Sequence, residues 1–491
     1  MNARTVVWQG WPHAPAPLGA IRTAARDARV QVVDDKGDAV PFGSWVRARE
    51  VLRAAWQRWL DGCLHGIAAL AGRSDPPIAA TTSNTGPTVL VLPVLPDLSH
   101  TFVYREVLAL LRQRPTWRVV VLAHNHHAPL HDEAKELLKV ATFLPRAGIT
   151  RAALRTLRWL LRPRGRQLFA LYRREVGGAA HDLLGKLPLR DPRHPGNAFA
   201  LADLLAAWQP RHLHVYASTW PANVAMGAAH LLGVPFSISS YVDFEFAYSH
   251  KMLPTKVARA TFFRVVTRYC QDQLLAMRGL ATPTRERTPV VYLGLDLAAW
   301  QQRATPSGRG TIVSAARLVA KKGLRVVPAA LAALRARGIP CRWRVIGDGP
   351  ELAALQLACA NHGVTDLVDF LGARDNNTVR AELLTADVAL LPCIVATDGE
   401  RDGIPIFLVE AMALGVPAVT TPVSGIPELV RDGDTGFLAQ PGDSHSLAEV
   451  LAHTLTDRAN AARIGERGRL AVHATLDVDV ASRELIAHIE R

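Results

Sequence analysis

Apolar strands of the kind buried on both faces alternate with helices along this chain, and the alternation begins twice. Together with a Pro- and Gly-bearing stretch ahead of the first run, this predicts an α/β protein. Two doubly wound parallel-sheet domains would face each other across a cleft, behind an N-terminal extension. The expected boundaries are 1–86 for the extension, 87–300 and 301–477 for the two domains, and 478–491 for a helix returning to the first domain.

The extension holds one amphipathic helix candidate, Ser44 to Ala71, with Trp45, Val51, Leu52, Trp56 and Leu60 near helical spacing. A linker follows, from Gly72 to Pro87. The first domain opens with the continuous apolar strand Thr88-Val-Leu-Val-Leu and a helix starting at Ser99. Further strands are read at Trp117–Leu122, His212–Tyr216 and Phe236–Ser240, with a helix at Ala222–Leu232. The second domain restarts the pattern at Gly310. Its strands are expected at Cys341–Ile346, Leu367–Leu371, Val388–Leu391 and Ala418–Thr421, its helices at Leu324–Gly338, Glu351–His362, Asn377–Thr385 and Ile406–Leu414.

The chain has 491 residues, and its 57 Lys+Arg against 43 Asp+Glu give a formal net charge of +14. That excess favours anionic partners. The absence of a zinc-finger spacing or a basic-aromatic nucleic-acid module argues against nucleic acid. Five scattered cysteines without a CxxC pair argue against a disulfide framework or zinc site and for a reducing compartment. With no apolar run of about 20 residues and no secretory pattern, the expected location is the cytoplasm, peripheral at the inner face of the membrane.

Two segments carry most of the chemistry. In Thr397-Asp-Gly-Glu-Arg-Asp402-Gly-Ile-Pro405-Ile-Phe-Leu-Val-Glu410, two carboxylates are separated by seven residues, and the second lies on a helix whose start attracts anions. In Ser314-Ala-Ala-Arg317-Leu-Val-Ala-Lys-Lys322-Gly323, two cations follow a strand, where doubly wound sheets bind ligands and where they could neutralise a leaving diphosphate. A third segment, Val345-Ile-Gly347-Asp-Gly349, is a tight strand-to-helix turn.

These segments resemble the family-4 retaining glycosyltransferases of GT-B fold, in the exopolysaccharide and colanic-acid branch. The first is similar to their E-x7-E motif and the second to their Arg-Leu-x-x-x-Lys-Gly signature. The resemblance covers about 400 residues, densely beyond Gly310 and thinly before it. It implies that Arg317 and Lys322 contact the donor diphosphate, Asp402 the transferred sugar and Glu410 the ribose. Asp402 is one methylene shorter than the usual Glu. Gly403, Ile404, Pro405 and Gly347 would shape the donor loops, and Phe370 and Leu371 would lie near the base. Glu428 is read as structural.

In the first domain, Leu98-Ser99-His-Thr101-Phe-Val and the His214-bearing strand are similar to segments of polysaccharide-assembly members. They make Ser99, Thr101 and His214 candidates for the acceptor or sugar side, although a strand histidine is more often a buried, satisfied one. Where the family has Ala-His-Ala, this chain has Tyr241 in place of the His, with Asp243 two residues on. Tyr donates a hydrogen bond but supplies no imidazole. Tyr241 is the catalytic candidate there, with Asp243 and His214 as alternatives.

Arg151 to Arg174 contains eight Arg and no acid, interleaved with Leu, Trp and Phe. It reads as a basic amphipathic helix for an anionic membrane surface. The expectation is therefore a metal-independent hexosyltransferase with no cofactor. It would move a sugar from a nucleoside-diphosphate donor to a polysaccharide or lipid-linked glycan, with retention of configuration. The competing expectation is a catalytically impaired member that senses nucleotide sugars or assists assembly. An epimerase or dinucleotide oxidoreductase lacks support, because no Gly-x-Gly-x-x-Gly follows either first strand; NAD binding would revive it.

Overall fold

The computed structural model describes residues 86–491 except 98–99, 126–130, 146–148, 177–194, 243–244, 246–251, 278, 281–283 and 302–303. The helix expected at Ser44 to Ala71, the linker, and the candidates Ser99 and Asp243 lie outside the described residues.

The described residues form two six-stranded sheets. The first contains β1 (Thr88–Leu95), β2 (Arg118–His124), β3 (Ala141–Phe143), β4 (His212–Tyr216), β5 (Phe236–Ser240) and β6 (Phe263–Val265). The second contains β7 (Thr311–Ala315), β8 (Arg342–Ile346), β9 (Val368–Gly372), β10 (Val388–Leu390), β11 (Ala418–Thr420) and β12 (Phe437–Leu438). Their orders are β3-β2-β1-β4-β5-β6 and β12-β11-β10-β7-β8-β9, and every pairing is parallel. Both orders are therefore the same doubly wound pattern, reversing direction between β1 and β4 and again between β7 and β10. Such reversals open a crevice at the carboxyl ends of the central strands, where ligands bind.

The central strands are buried because helices cover both faces: Val89, Leu90, Val91 and Leu95 have no exposed surface, and neither do Ile312 and Val313. The first sheet carries a separate apolar cluster on each side, and the second domain has one large core of its own.

The chain crosses between domains at Leu295 and returns beside the same point. Leu295 N–H donates to Leu476 O (2.7 Å), and Val478 N–H donates to Leu295 O (3.0 Å). Asp477 then caps a new helix, Val478–Glu490, through the amides of Asp479 and Val480. Its apolar face, Leu485, Ile486 and Ile489, joins the cluster under Leu90 and Tyr104 in the first domain. Burying three such side chains contributes roughly 5–8 kcal/mol as an upper estimate. The exposed pairs Arg112–Asp479 and Arg114–Glu490 add little.

A buried ion pair fixes the first domain's centre. Glu106 accepts both terminal nitrogens of Arg264 (2.8 and 2.7 Å), and Arg264 also donates to Val291 O (2.9 Å). Both side chains are fully enclosed, so each charge needs the other.

The segment from Arg151 to Arg174 differs from the single helix expected. It forms two helices, Ile149–Leu160 and Pro163–Val176. Pro163 supplies the reason: without an N–H, and with a ring that collides with the preceding turn, it starts a helix and cannot continue one.

Candidate active site

Topology explains why residues 80 positions apart meet. The loop after β7 and the loop after β10 flank the second sheet's reversal point, so Lys321-Lys322 and Asp402 converge there. Gly323 makes the approach possible. Its φ is +66°, and a Cβ at that position would lie 1.9 Å from Pro392 O. Ile394 N–H then donates to Lys321 O across the same gap (3.0 Å).

Lys322 Nζ donates to Asp402 Oδ2 at 2.6 Å, Lys321 Nζ lies 3.3 Å from Asp402 Oδ1, and Lys321 also holds Glu400 at 2.8 Å. The Cys393 thiol sits 3.7 Å from Asp402 Oδ2. Burial alone would push Asp402 up; Lys322, then Lys321, outweigh it and hold the carboxyl below its ordinary value. Burial works against the charge on Lys322 as well, and Asp402 reverses the direction so that the ammonium is held above its ordinary value. Burial raises the Cys393 thiol, with Asp402 adding to it, so this sulfur stays protonated. Arg317 is exposed at the loop's outer edge, and its charge is felt at Lys322. The structure thus joins Lys322 and Asp402 directly and adds Lys321 and Glu400.

Gly403 is buried and Ile404 half-buried, and Pro405 caps the helix Ile406–Ala413. Gly347, at φ +138°, lets the β8 turn pass under Ala316, whose carbonyl would lie 1.8 Å from any Cβ there. Phe370 and Leu371, on β9, are partly buried against the second domain's core.

Glu410 is on that same helix but faces the other domain. Its Oε1 accepts Arg105 Nη1 at 2.8 Å, and both side chains are nearly enclosed. Arg105 belongs to the helix Thr101–Gln113, which follows β1 at the first sheet's reversal point. Its Nε also donates to Glu133 Oε1 (2.9 Å), which Asn376 of the second domain approaches at 3.3 Å. Burial pushes Glu410 above its ordinary value, and Arg105 opposes that shift. The carboxyl-end loops of the two sheets therefore meet at named contacts. The Tyr241 carbonyl lies 3.1 Å from where a Cβ on Gly403 would stand, placing the end of β5 against the Asp402 loop. At the crossing between domains, Glu428 caps the helix Arg268–Ala276 through the amides of Arg268 and Tyr269 and accepts the Tyr292 hydroxyl at 2.7 Å.

The first-domain candidates are dispersed. The Tyr241 ring packs edge-on to Phe102 (5.0 Å) and stacks with Tyr216 (6.4 Å), and its hydroxyl is enclosed. Burial, then Glu106, raises that hydroxyl well above its ordinary value. His214 has no exposure; its two nitrogens bond Ser237 (2.7 Å) and Ser239 (2.9 Å), and burial drives it well below its ordinary value. Thr101 is half-buried at the start of its helix.

Beside β4 and β5 lies a cluster that the sequence reading missed. Glu245 accepts Ser218 N–H (2.8 Å), Ser218 Oγ (2.7 Å) and Ser240 Oγ (3.0 Å), while buried Lys256 is pushed down to about 7 by desolvation. Lys321, Arg105, Glu133 and Glu400 were also missed. The Lys-Lys doublet before Gly323 and the position of Arg105 in the first helix after β1 were the available signals.

Residues 299–471 match the family described as "Glycosyl transferases group 1". Residues 299–471 are thus similar to a group 1 glycosyl transferase domain. The putative colanic acid biosynthesis glycosyltransferase WcaL of Escherichia coli (strain K12) is 36% identical over 209 residues, 42% of this chain and 52% of that protein. The amylovoran biosynthesis glycosyltransferase AmsK of Erwinia amylovora is 32% identical over 243 residues, 49% of this chain and 59% of that protein. The match thus spans about half the length of these curated relatives. Among solved structures, Anabaena Alr3699/HepE in complex with UDP and glucose superposes with a TM-score of 0.60 at 17% identity, covering 82% of this chain and 99% of that one. The fold is GT-B: the matched region lies in the second of two doubly wound domains.

Proposed function

We propose that the chain is a retaining, metal-independent hexosyltransferase. It moves a sugar from a nucleoside-diphosphate donor to a hydroxyl of a growing polysaccharide or lipid-linked glycan. The observation that carries the reading is the Lys322–Asp402 pair, flanked by Lys321 and Arg317 at the reversal point of the second domain. In this reading Lys322 and Arg317 neutralise the diphosphate as the bond from C1 to the phosphate oxygen breaks. Asp402 accepts hydroxyls of the transferred sugar, Glu410 holds the ribose, the Gly347 turn allows close backbone approach, and Phe370 and Leu371 border the base. The acceptor oxygen bonds C1 on the face the diphosphate leaves, and its proton passes to the departing phosphate. Concentrated lysine and arginine charge supplies the electrostatic stabilisation, so the reading takes no cofactor.

The partners follow the same chemistry. Both curated relatives are named as biosynthesis glycosyltransferases, which favours an enzyme over a non-catalytic sensor. For location we infer the inner face of a membrane. Leu154, Leu157 and Leu161 are 67%, 53% and 72% exposed, at helical spacing, among exposed Arg151, Arg158, Arg162 and Arg164. No helix among the described residues is long and apolar enough to cross a membrane.

The test is the double variant Arg317→Ala/Lys322→Ala, assayed for turnover of a panel of UDP- and GDP-sugars. Losing two preorganised cations is expected to lower turnover at least about 100-fold. Turnover equal to the wild type would remove the mechanism.

A further inference from the structure

Glu410 is an awkward carboxylate for its role. It is only 6% exposed, and burial favours its neutral form. A protonated carboxyl has lost half of its accepting character, whereas two ribose hydroxyls need an ionised acceptor. What opposes neutralisation comes from the other domain: the Arg105 guanidinium, 2.8 Å from Oε1 and itself 6% exposed. Among the described residues, no hydrogen bond is made to Oε2 of Glu410. One oxygen is anchored and the other remains for a ligand.

We propose that Arg105 is a positioning residue for donor binding: reaching across from the first domain, it orients the Glu410 carboxylate that clasps the ribose, so that this clasp is complete only when the two domains meet. The proposal rests on the reading that Glu410 holds the ribose. Among the described residues, the charged groups that act on Glu410 are Arg105 and Glu133. Arg105 faces it from the helix Thr101–Gln113, and Glu133 acts on it from the helix Asp132–Val140 and raises it. His131 lies behind Glu133 and Arg105 and is pushed down by its own burial. Arg105 is divided between the two carboxylates, and Asn376 of the second domain approaches Glu133. The contact is therefore a four-helix junction, built from two helices of each domain.

A merely structural arginine would weaken every nucleotide alike, whereas a positioning arginine weakens those with ribose hydroxyls. The experiment therefore compares UDP with 2′,3′-dideoxy-UDP, or the GDP pair if guanine is preferred, by calorimetry on the full chain. In the wild type the hydroxyls are expected to improve binding by at least about tenfold, as two hydrogen bonds to a charged acceptor would. In Arg105→Gln that ratio is expected to fall within about threefold of unity and to climb back as the pH is raised, because burial holds Glu410 above its ordinary value and alkali ionises it unaided. Arg105→Lys keeps a charge but cannot bridge both carboxylates, so its ratio should lie between the two.

A wild-type ratio in Arg105→Gln at pH 6.5 would overturn the proposal, as would equal losses for both nucleotides with the ratio kept. If Arg105→Gln does not fold, Arg105→Lys decides: a ratio equal to the wild type at pH 6.5 overturns the proposal. Glu410→Gln separates the two layers. If it keeps the full ratio, the ribose reading itself fails. If it loses the ratio while Arg105→Gln retains it, only the role of Arg105 fails.

Discussion

Asp402→Asn should tighten the binding of nucleoside diphosphates while slowing sugar transfer. Asp402 takes Lys322 at 2.6 Å and Lys321 at 3.3 Å, so under the proposed function the cations that would hold the diphosphate are already partly neutralised. A phosphate oxygen bound to the far side of Lys322 would stand about 5–6 Å from the carboxylate. At an effective dielectric of about 20 the repulsion is about 3 kcal/mol per unit charge. Asp402 is 13% exposed, so part of this is screened, and about 1–2 kcal/mol survives as a gain on removing the charge. The dissociation constant should fall by about fivefold to thirtyfold. The same change leaves two ammonium groups less compensated in the free protein, so its melting temperature should drop, and saturating diphosphate should restore it by a larger increment than in the wild type. Calorimetry with UDP and GDP, alongside thermal melts, reads both effects. Lys322→Met is the control and should weaken binding. If Asp402→Asn binds diphosphates no better than the wild type, the diphosphate does not lie against Lys322.

Acid should destabilise the first domain earlier than its carboxylates require. His212, bonded to Ser237 at 2.7 Å, is pushed down to about 3 by burial, so above its unfolded value near 6.5 its contribution is fully present, and it is lost as pH falls from there toward 3. Between pH 7 and pH 5 this amounts to about 2 kcal/mol for His212, with His214 adding in the same direction; urea denaturation should show a flatter slope in His212→Gln, and an unchanged slope refutes the assignment. For the exposed leucine face, sedimentation with phosphatidylglycerol vesicles should exceed that with phosphatidylcholine vesicles, and each Arg→Gln change at 151 or 162 should weaken it by about fivefold at low salt. Leu154→Ser/Leu157→Ser/Leu161→Ser should abolish it; binding that ignores both lipid charge and these changes would remove the membrane reading.

The architecture was legible because it is written in period and length. Runs such as Thr88–Leu95 are short and apolar, a helix follows, and little except a parallel sheet satisfies that alternation. β3, β6 and β12, of three, three and two residues, escaped, whereas β10 and β11, of three residues each, were legible because they flank the motif-bearing loop and helix that end at Ala413. The Lys322–Asp402 pair could be anticipated because both residues lie in loops after strands of one sheet. Arg151 to Arg174 was read as one helix because charge periodicity continues through Pro163, while the backbone does not.

The cross-domain partners were beyond reach for a different reason. Tyr104, Arg105 and Glu106 are consecutive, yet each serves a separate surface. The Tyr104 hydroxyl accepts Asp97 N–H (2.8 Å) in the turn after β1, Arg105 reaches Glu410, and Glu106 holds Arg264. On one helix, successive side chains point about 100° apart, so three neighbours necessarily face three directions. Their sequence shows a polar triplet in an otherwise apolar helix, which is ordinarily a solvated face. Burial of all three, at 0%, 6% and 1% exposure, is the observation that changes the meaning. A charge without water must be matched by another, and here the matching charges lie 158 and 305 residues away. This helix therefore couples the centre of the first sheet to the carboxylate of the second. Damage to Glu106 should therefore act at a distance, by moving Arg105 on the same helix and by removing a charge that acts on the Tyr241 hydroxyl.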